Sequence, residues 1–273
     1  MDATHGRTMS NDPVVLDVED GVATLTLNRP DNYNALSSEM SAAIVDAIDD
    51  LESRRDVRCL VVTGSEGTFC AGGDINSMME LMSGSAELHE AVERIQHETS
   101  RAIRRLYEFH LPTVAKVDGV AYGAGANLAI ACDVLLASDR AEISFGFRQV
   151  GLAVDTGTSY LLPRIVGENT AKELVFTGER VAADRAADLG LFNHVYDADS
   201  FEDEAAAFVE EIATGPTVAL RASKNTISQG LNATLKQAQD NEAAAQAAVF
   251  DTDDHQEGAS AFMEGRDPEF QGQ

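Results

Sequence analysis

Tryptophan is absent from this 273-residue chain, lysine occurs only at positions 116, 172, 224 and 236, and no long apolar run is present. The longest apolar stretch, Leu128 to Ala137, is interrupted by Asp133 and falls short of the ~20 residues a membrane helix needs. Cysteine is also scarce. Cys59, Cys70 and Cys132 make an odd set, standing in or beside apolar stretches with neither paired nor metal-like spacing. Reduced, buried thiols and a cytoplasmic location are therefore expected. The opening residues, MDATHGRTMSNDP, are polar and lack the apolar segment of a secretory signal.

Cations are few. Lys and Arg total 20 against 46 Asp and Glu, a formal net charge of -26. A nucleic-acid surface needs clustered cations to displace phosphate counterions, and no such run occurs, so nucleic-acid and RNA binding are disfavoured. The densest basic stretch, Arg101 to Arg105, falls on an expected helix and reads as a solvated face. An acidic surface with so little lysine is most simply explained by a halophilic cytoplasm, where dense counterions screen self-repulsion. The six histidines form no i, i+4 pair on a helix, and no metal site is expected.

What is present is an α/β grammar. VVLDV and VATLTLN read as strands joined at Glu19-Asp20-Gly21, and Ser37 caps a helix with Met40, Ile44, Ile48 and Leu51 on one face. Cys59 to Thr63 is a continuous apolar run, as in a buried strand. Helix is expected from about Ala86 to Tyr107, strand at Thr113 to Val117, and helix from about Ala124 to Cys132. Strands at Val134 to Ala137, Glu142 to Phe145 and His194 to Tyr196 alternate with helices at Thr158 to Val166, Ala171 to Phe176 and Ala183 to Leu189. From Ser200 onward only helical signals remain. This divides the chain into a polar tail (1–12), an α/β core (13–199) and a helical region (200–273).

Two Gly-rich turns each lead into a helix: Phe69-Cys70-Ala71-Gly72-Gly73-Asp74 and Gly119-Val120-Ala121-Tyr122-Gly123-Ala124-Gly125. Glycine allows close approach to a ligand, and the helix start behind it offers unpaired N–H groups at a positive dipole end. Either turn alone reads as no more than a tight turn. Facing one another, the two can hold a developing oxyanion by backbone donation. Neither is a P-loop or a dinucleotide fingerprint.

The runs NRPDNYNALS (28–37), FCAGGDI (69–75), DGVAYGAGANLAIACD (118–133), VGLAVDTGTSYLLPRIVG (150–167) and EGASAFMEGRDPEF (257–270) together resemble the crotonase, or enoyl-CoA hydratase/isomerase, superfamily. They occur in the family's order from about residue 14 to the C-terminus. The resemblance implies a spiral of repeated ββα units with a C-terminal helical trimerisation region, in a homotrimer or a dimer of trimers. It also implies acyl-CoA thioester substrates, with coenzyme A entering as part of the substrate and no separate cofactor. By position, the oxyanion donors would be the N–H groups of Gly73 and Ala124. The CoA moiety would run past Arg29, Ala71, Asp74 and Ile75.

Hydratases of the family activate water with two glutamates. Asn127 and Phe147 stand at the matching positions here, and neither is a base near neutral pH. Both are instead expected to line the substrate site. Asp155 remains. Its position matches the acid of enoyl-CoA isomerases and of ring-1,2-epoxyphenylacetyl-CoA isomerases, whose motif GAGANLAIACD resembles closely. DTGTSY also resembles 4-chlorobenzoyl-CoA dehalogenases, but those carry a tryptophan where Phe147 stands. An Asp before Thr-Gly-Thr-Ser is equally a natural helix cap or turn residue. Phe145, Phe147, Leu152 and Val154 would raise its pKa by burial, while a helix start would lower it. The resemblance favours Asp155 as the acid/base of an isomerase, with hydration or non-catalytic acyl-CoA binding as the alternatives.

Overall fold

The computed structural model describes residues 12–273, so nearly all of the polar tail assigned to 1–12 lies outside the described residues. Strands β1 (Val14–Glu19) and β2 (Val22–Leu27) form the expected hairpin. Helix α1 (Ser38–Glu52) begins at Ser37, whose hydroxyl accepts the Met40 N–H at 3.2 Å, and it buries Met40, Ile44, Ile48 and Leu51. The apolar run becomes β3 (Cys59–Gly64), with Cys59 to Val62 fully inside. Helices α2 (Ile75–Ser83), α3 (Leu88–Arg94) and α4 (Ser100–Tyr107) follow. Next come β4 (Thr113–Val117), β5 (Val120–Tyr122), α5 (Ala124–Ile130), β6 (Val134–Ser138) and β7 (Glu142–Ser144). The core ends with α6 (Thr158–Val166), α7 (Glu168–Thr177), β8 (Val181–Ala182), α8 (Ala183–Asp188) and β9 (His194–Tyr196).

These elements wind as a spiral. A six-stranded sheet has the order β1-β2-β3-β4-β6-β9, parallel except for the first pair, and a smaller sheet has the order β5-β7-β8. Each turn lays one strand in the large sheet, one short segment in the second layer, and then a helix. Leu36 with Gly73, and Cys70 with Ala121, are single bridges that extend the second layer toward the first two turns of the spiral. The main core lies among the sheets, α1, α4 and α5, and includes Leu25, Ile44, Phe69, Phe109, Leu128 and Phe145.

The helix expected over 86–107 is broken by a π-helical turn at Ile95–Thr99. An extra residue in such a turn rotates the preceding segment by about 100°. Ala102, Ile103 and Leu106 of α4 therefore face the core, whereas Leu88, Val92 and Ile95 are turned outward and exposed. Inside the second Gly-rich turn, Val120–Tyr122 pairs with β7 as a strand, a contact invisible to local periodicity.

After β9 the chain is helical: α9 (Phe201–Ala213), α10 (Thr217–Gly230), α11 (Leu235–Val249) and α12 (Asp253–Glu264). Helix α9 seals the outer face of the large sheet, packing Phe201, Ala205 and Val209 against Cys59, Val61, Val114 and Leu136. Arg58 ties the rest to the core. Its Nε donates to Thr217 Oγ1 at 2.9 Å, and its Nη1 donates to the Phe270 carbonyl at 3.4 Å. Phe250, Phe262 and Met263 remain exposed on the last helices. Among the described residues, no helix is long and apolar enough to cross a membrane.

Candidate active site

The first turn of the site is held by Leu36, whose N–H donates to Gly72 O at 2.7 Å and whose carbonyl accepts from Asp74 N at 3.2 Å. In a parallel bridge the residue bracketed by such a pair directs its own N–H to the opposite edge. That residue is Gly73, which is exposed and whose N–H donates to none of the described residues. The second turn is stitched to the first through Cys70, which donates to Val120 O at 3.0 Å and accepts from Tyr122 N at 2.9 Å.

Gly123 turns this second segment into α5 with φ 54° and ψ -119°, a conformation closed to side-chain-bearing residues. Its N–H is spent on Ser144 O at 2.8 Å, and the first helical bond runs from Asn127 N to Gly123 O at 3.1 Å. The N–H of Ala124, at the helix start, therefore has no intrahelical partner. The two turns share a border: a Cβ on Gly72 would lie 2.7 Å from Tyr122 O and 3.7 Å from Ala124 N. The helix-start donor of Ala124 thus borders the turn that carries Gly73.

Asp155 lies on the loop before α6. It does not cap that helix, since the N-cap position is Gly157 and no backbone N–H reaches the Asp155 carboxylate. Among the described residues only the Thr156 hydroxyl does, at 3.1 Å from Oδ1. No cation pairs with Asp155 among the described residues, unlike Asp74 with Arg29, Asp118 with Arg140 or Asp133 with Lys224. Burial pushes its carboxyl above the usual carboxylate range, and the Thr156 hydrogen bond opposes this only in part. Of the two opposing effects expected from sequence, burial prevails because the loop never presents the carboxylate to a helix start.

Asn127 is fully buried. Its Nδ2 donates to Thr156 Oγ1 at 2.7 Å and to the Asp155 carbonyl at 3.1 Å, while its Oδ1 accepts from Thr158 Oγ1 at 2.8 Å. Both amide atoms are engaged with the Asp155 loop, so Asn127 anchors that loop instead of offering its amide to a ligand. Phe147 is nearly buried, with its ring 3.9 Å from where a Cβ on Gly123 would stand. It walls the second turn. Tyr122 has its hydroxyl tied to Gly146 O at 3.1 Å.

On the other side of Gly73, Arg29 Nη1 reaches both Asp74 Oδ2 and the Ala35 carbonyl at 3.1 Å. Asp74 Oδ1 caps α2 through Asn76 N at 2.9 Å. The N–H of Ala71 donates to Tyr33 O at 3.0 Å, and Ile75 is exposed at the head of α2. Behind them Asn34, buried in a left-handed conformation (φ 55°), donates to Ser65 O and Thr68 O and accepts from Arg29 N. Sequence reading passed over Asn34, Thr156 and Thr158. Asn in a DNYNA turn is the signal for the first, because Asn tolerates the left-handed region and bonds nearby backbone.

Ile75, Met79, Met82, Leu88 and Val92 form an exposed apolar surface on α2 and α3, immediately after Gly73 and Asp74. The three cysteines are buried and unpaired, and burial holds Cys59 and Cys70 at about 12, where the thiolate is inaccessible near neutral pH. Among the described residues no group of His, Cys, Asp and Glu is arranged to hold a metal.

Known proteins resemble this chain over nearly its whole length. The enoyl-CoA hydratase/isomerase family matches residues 17–273. The 1,2-epoxyphenylacetyl-CoA isomerase of Escherichia coli K12 is 36% identical over 256 residues, 93% of this chain and 97% of that one. The short-chain-enoyl-CoA hydratase of Clostridium acetobutylicum is 32% identical over 256 residues, 93% of this chain and 95% of that one. The crystal structure of an enoyl-CoA hydratase from Mycobacterium smegmatis superposes with TM-score 0.88 at 33% identity, covering 94% of this chain and 98% of that one. That of an enoyl-CoA hydratase from Bacillus anthracis gives 0.89 at 27% identity, covering 96% and 100%. The spiral α/β fold, the helical C-terminal region and these similarities together place the chain in the enoyl-CoA hydratase/isomerase family.

Proposed function

We propose that this chain is an acyl-CoA isomerase that works through a thioester enolate. The N–H groups of Gly73 and Ala124 polarise the thioester carbonyl. Asp155, as carboxylate, removes an α-proton from a β,γ-unsaturated thioester, and the electrons move onto the carbonyl oxygen between the two donors. The carboxylic acid so formed returns the proton at the γ-carbon, and the double bond is left α,β. Atoms balance with no group beyond the coenzyme A of the substrate.

One observation carries the reading. Asp155 is a half-buried carboxyl with no cation beside it, and Asn127 fixes its loop about 4.5 Å along α5 from Ala124. Carboxyls desolvated in this way cluster at reacting centres. Backbone donors of this kind can contribute about 2.7–4 kcal/mol each to the barrier. Arg29 with Asp74, Ala71 and Ile75 would border the CoA, and the exposed apolar side chains of α2 and α3 suit an acyl group. The name of the E. coli relative supports an aryl-epoxide thioester as a second substrate class for the same enolate-stabilising site. Exposed Phe250, Phe262 and Met263 on the last helices support the expected homotrimer or dimer of trimers.

Hydration with Asp155 as the sole acid is the rival reading, supported by the name of the Clostridium relative. Against it stand Asn127 and Phe147, which leave no pair of carboxylates to activate water. Product mass separates the two. Purified protein given 3-enoyl-CoA yields an isobaric 2-enoyl product if the reading is right. A product heavier by one water, formed from 2-enoyl-CoA, would replace isomerisation with hydration.

A further inference from the structure

Thr156 has φ 45°, a left-handed conformation that is a genuine outlier for a β-branched residue, and it is nearly fully buried. Such strain persists only where surrounding structure enforces it, and it concentrates at working sites. The enforcing group is Asn127. The Asp155 carbonyl, 3.1 Å from one atom of the Asn127 amide, can only accept, so that atom is Nδ2. The other Nδ2 hydrogen is then directed at Thr156 Oγ1, 2.7 Å away, and Oδ1 is left to accept from Thr158 Oγ1 at 2.8 Å. With one of its two lone pairs accepting from Asn127, the Thr156 hydroxyl turns its one hydrogen to Asp155 Oδ1 at 3.1 Å.

We propose that Thr156 is a positioning residue for Asp155: Asn127 orients its hydroxyl so that its proton holds Oδ1 and leaves Oδ2 as the oxygen that takes and returns the substrate proton. This rests on the isomerase reading for its consequence, although the hydrogen-bond chain stands without it. Every donor in the chain points one way, toward the carboxylate. Among the described residues no cation pairs with Asp155. Helix α5 carries no ionisable residue, Arg164 of α6 lies over the Tyr160 ring at 3.5 Å, and Arg148 is bonded to Phe176 O at 2.6 Å. Among the described residues, burial and this hydroxyl act on Asp155 in opposite directions. Burial raises the proton affinity of the carboxyl. The hydroxyl tempers that without neutralising the group, as an Arg or Lys partner would.

The test compares wild type with Thr156→Val, which keeps the branched shape and removes only the hydroxyl, and with Thr156→Ser, which restores it. Asp is labelled with carbon-13 at its carboxyl, and Asp155→Asn identifies the Asp155 resonance by its loss. In Thr156→Val that resonance titrates at higher pH than in wild type, and in Thr156→Ser it titrates as in wild type. The rising limb of kcat/KM for 3-enoyl-CoA moves the same way, with about a tenfold loss on its acid side, the low end for a hydrogen bond to a charged group. Thr156→Ala gives the same direction where Val does not fold. An unmoved Asp155 titration in both Val and Ala variants overturns the proposal. The titration decides it even if wild type proves silent toward 3-enoyl-CoA, a result that would count against the isomerase reading alone.

Discussion

Gly125 of α5 lies so close to Cys70 that a Cβ on it would overlap the Cys70 carbonyl oxygen and stand 2.8 Å from the carbonyl carbon. This close approach joins the two turns that carry Gly73 and Ala124, because Cys70 also exchanges both of its backbone bonds with Val120 and Tyr122. Gly125→Ala therefore pushes the turns apart. The expected cost is ~1–3 kcal/mol of overpacking, read as a lower melting temperature. Activity is expected to fall further than stability does, since two donors must converge on one oxygen. A Gly125→Ala variant with wild-type turnover would show that the spacing of the turns is not used.

Asp155 couples stability to pH. Burial raises its carboxyl above the ordinary value, so the folded chain binds this proton more tightly than the unfolded chain does. Its contribution is fully present below the unfolded value and is lost as pH rises through the folded one. Asp155→Asn, which avoids the buried charge, is expected to be more stable than wild type at neutral pH. The gap should shrink on acidification. Denaturant melts of both proteins from acid to neutral pH check this, and a gap independent of pH would contradict it.

The surface charge makes a separate claim. The fifteen ion pairs among the described residues cannot neutralise a chain with 46 acids and 20 bases. The repulsion that remains is screened over about 8 Å at physiological ionic strength and about 3 Å at 1 M. Raising KCl from 0.15 M to about 2 M is expected to increase the melting temperature by several degrees. A flat or falling curve would remove the halophilic interpretation of the composition.

Asp74 serves two partners, capping α2 with Oδ1 and pairing Arg29 with Oδ2. Asp74→Ala should cost ~1–2 kcal/mol, most of it the lost cap. Asn is an equally good cap, so Asp74→Asn recovers most of that loss. What it does not recover measures the ion pair with Arg29, a partly exposed one of modest worth. If Asn proves as damaging as Ala, the pair rather than the cap holds the head of α2.

Much of the fold was legible because local chemistry dictates it. Ser37 capped α1, the apolar run from Cys59 became a buried strand, and strand signals ended before Ser200. The π turn at Ile95–Thr99 was not legible, since an inserted residue leaves the apolar spacing looking almost helical. Nor was the strand Val120–Tyr122, whose pairing partner lies 22 residues away in sequence. At the site, motif order pointed to Gly73, Ala124 and Asp155 through the family resemblance alone. The part played by Thr156 was hidden, because a Thr next to an Asp looks like any polar turn until Asn127 is seen to reach across from another helix.

The most direct measurement is turnover of 3-enoyl-CoA by wild type and Asp155→Asn, side by side in molar KCl, with products resolved by mass. Wild type is expected to convert the substrate to its isobaric 2-enoyl isomer. The variant should retain its fold and lose ~10²–10⁴-fold in rate, the usual worth of a positioned base. Isomerisation that survives in Asp155→Asn at the wild-type rate would contradict the assignment of Asp155 as the proton carrier.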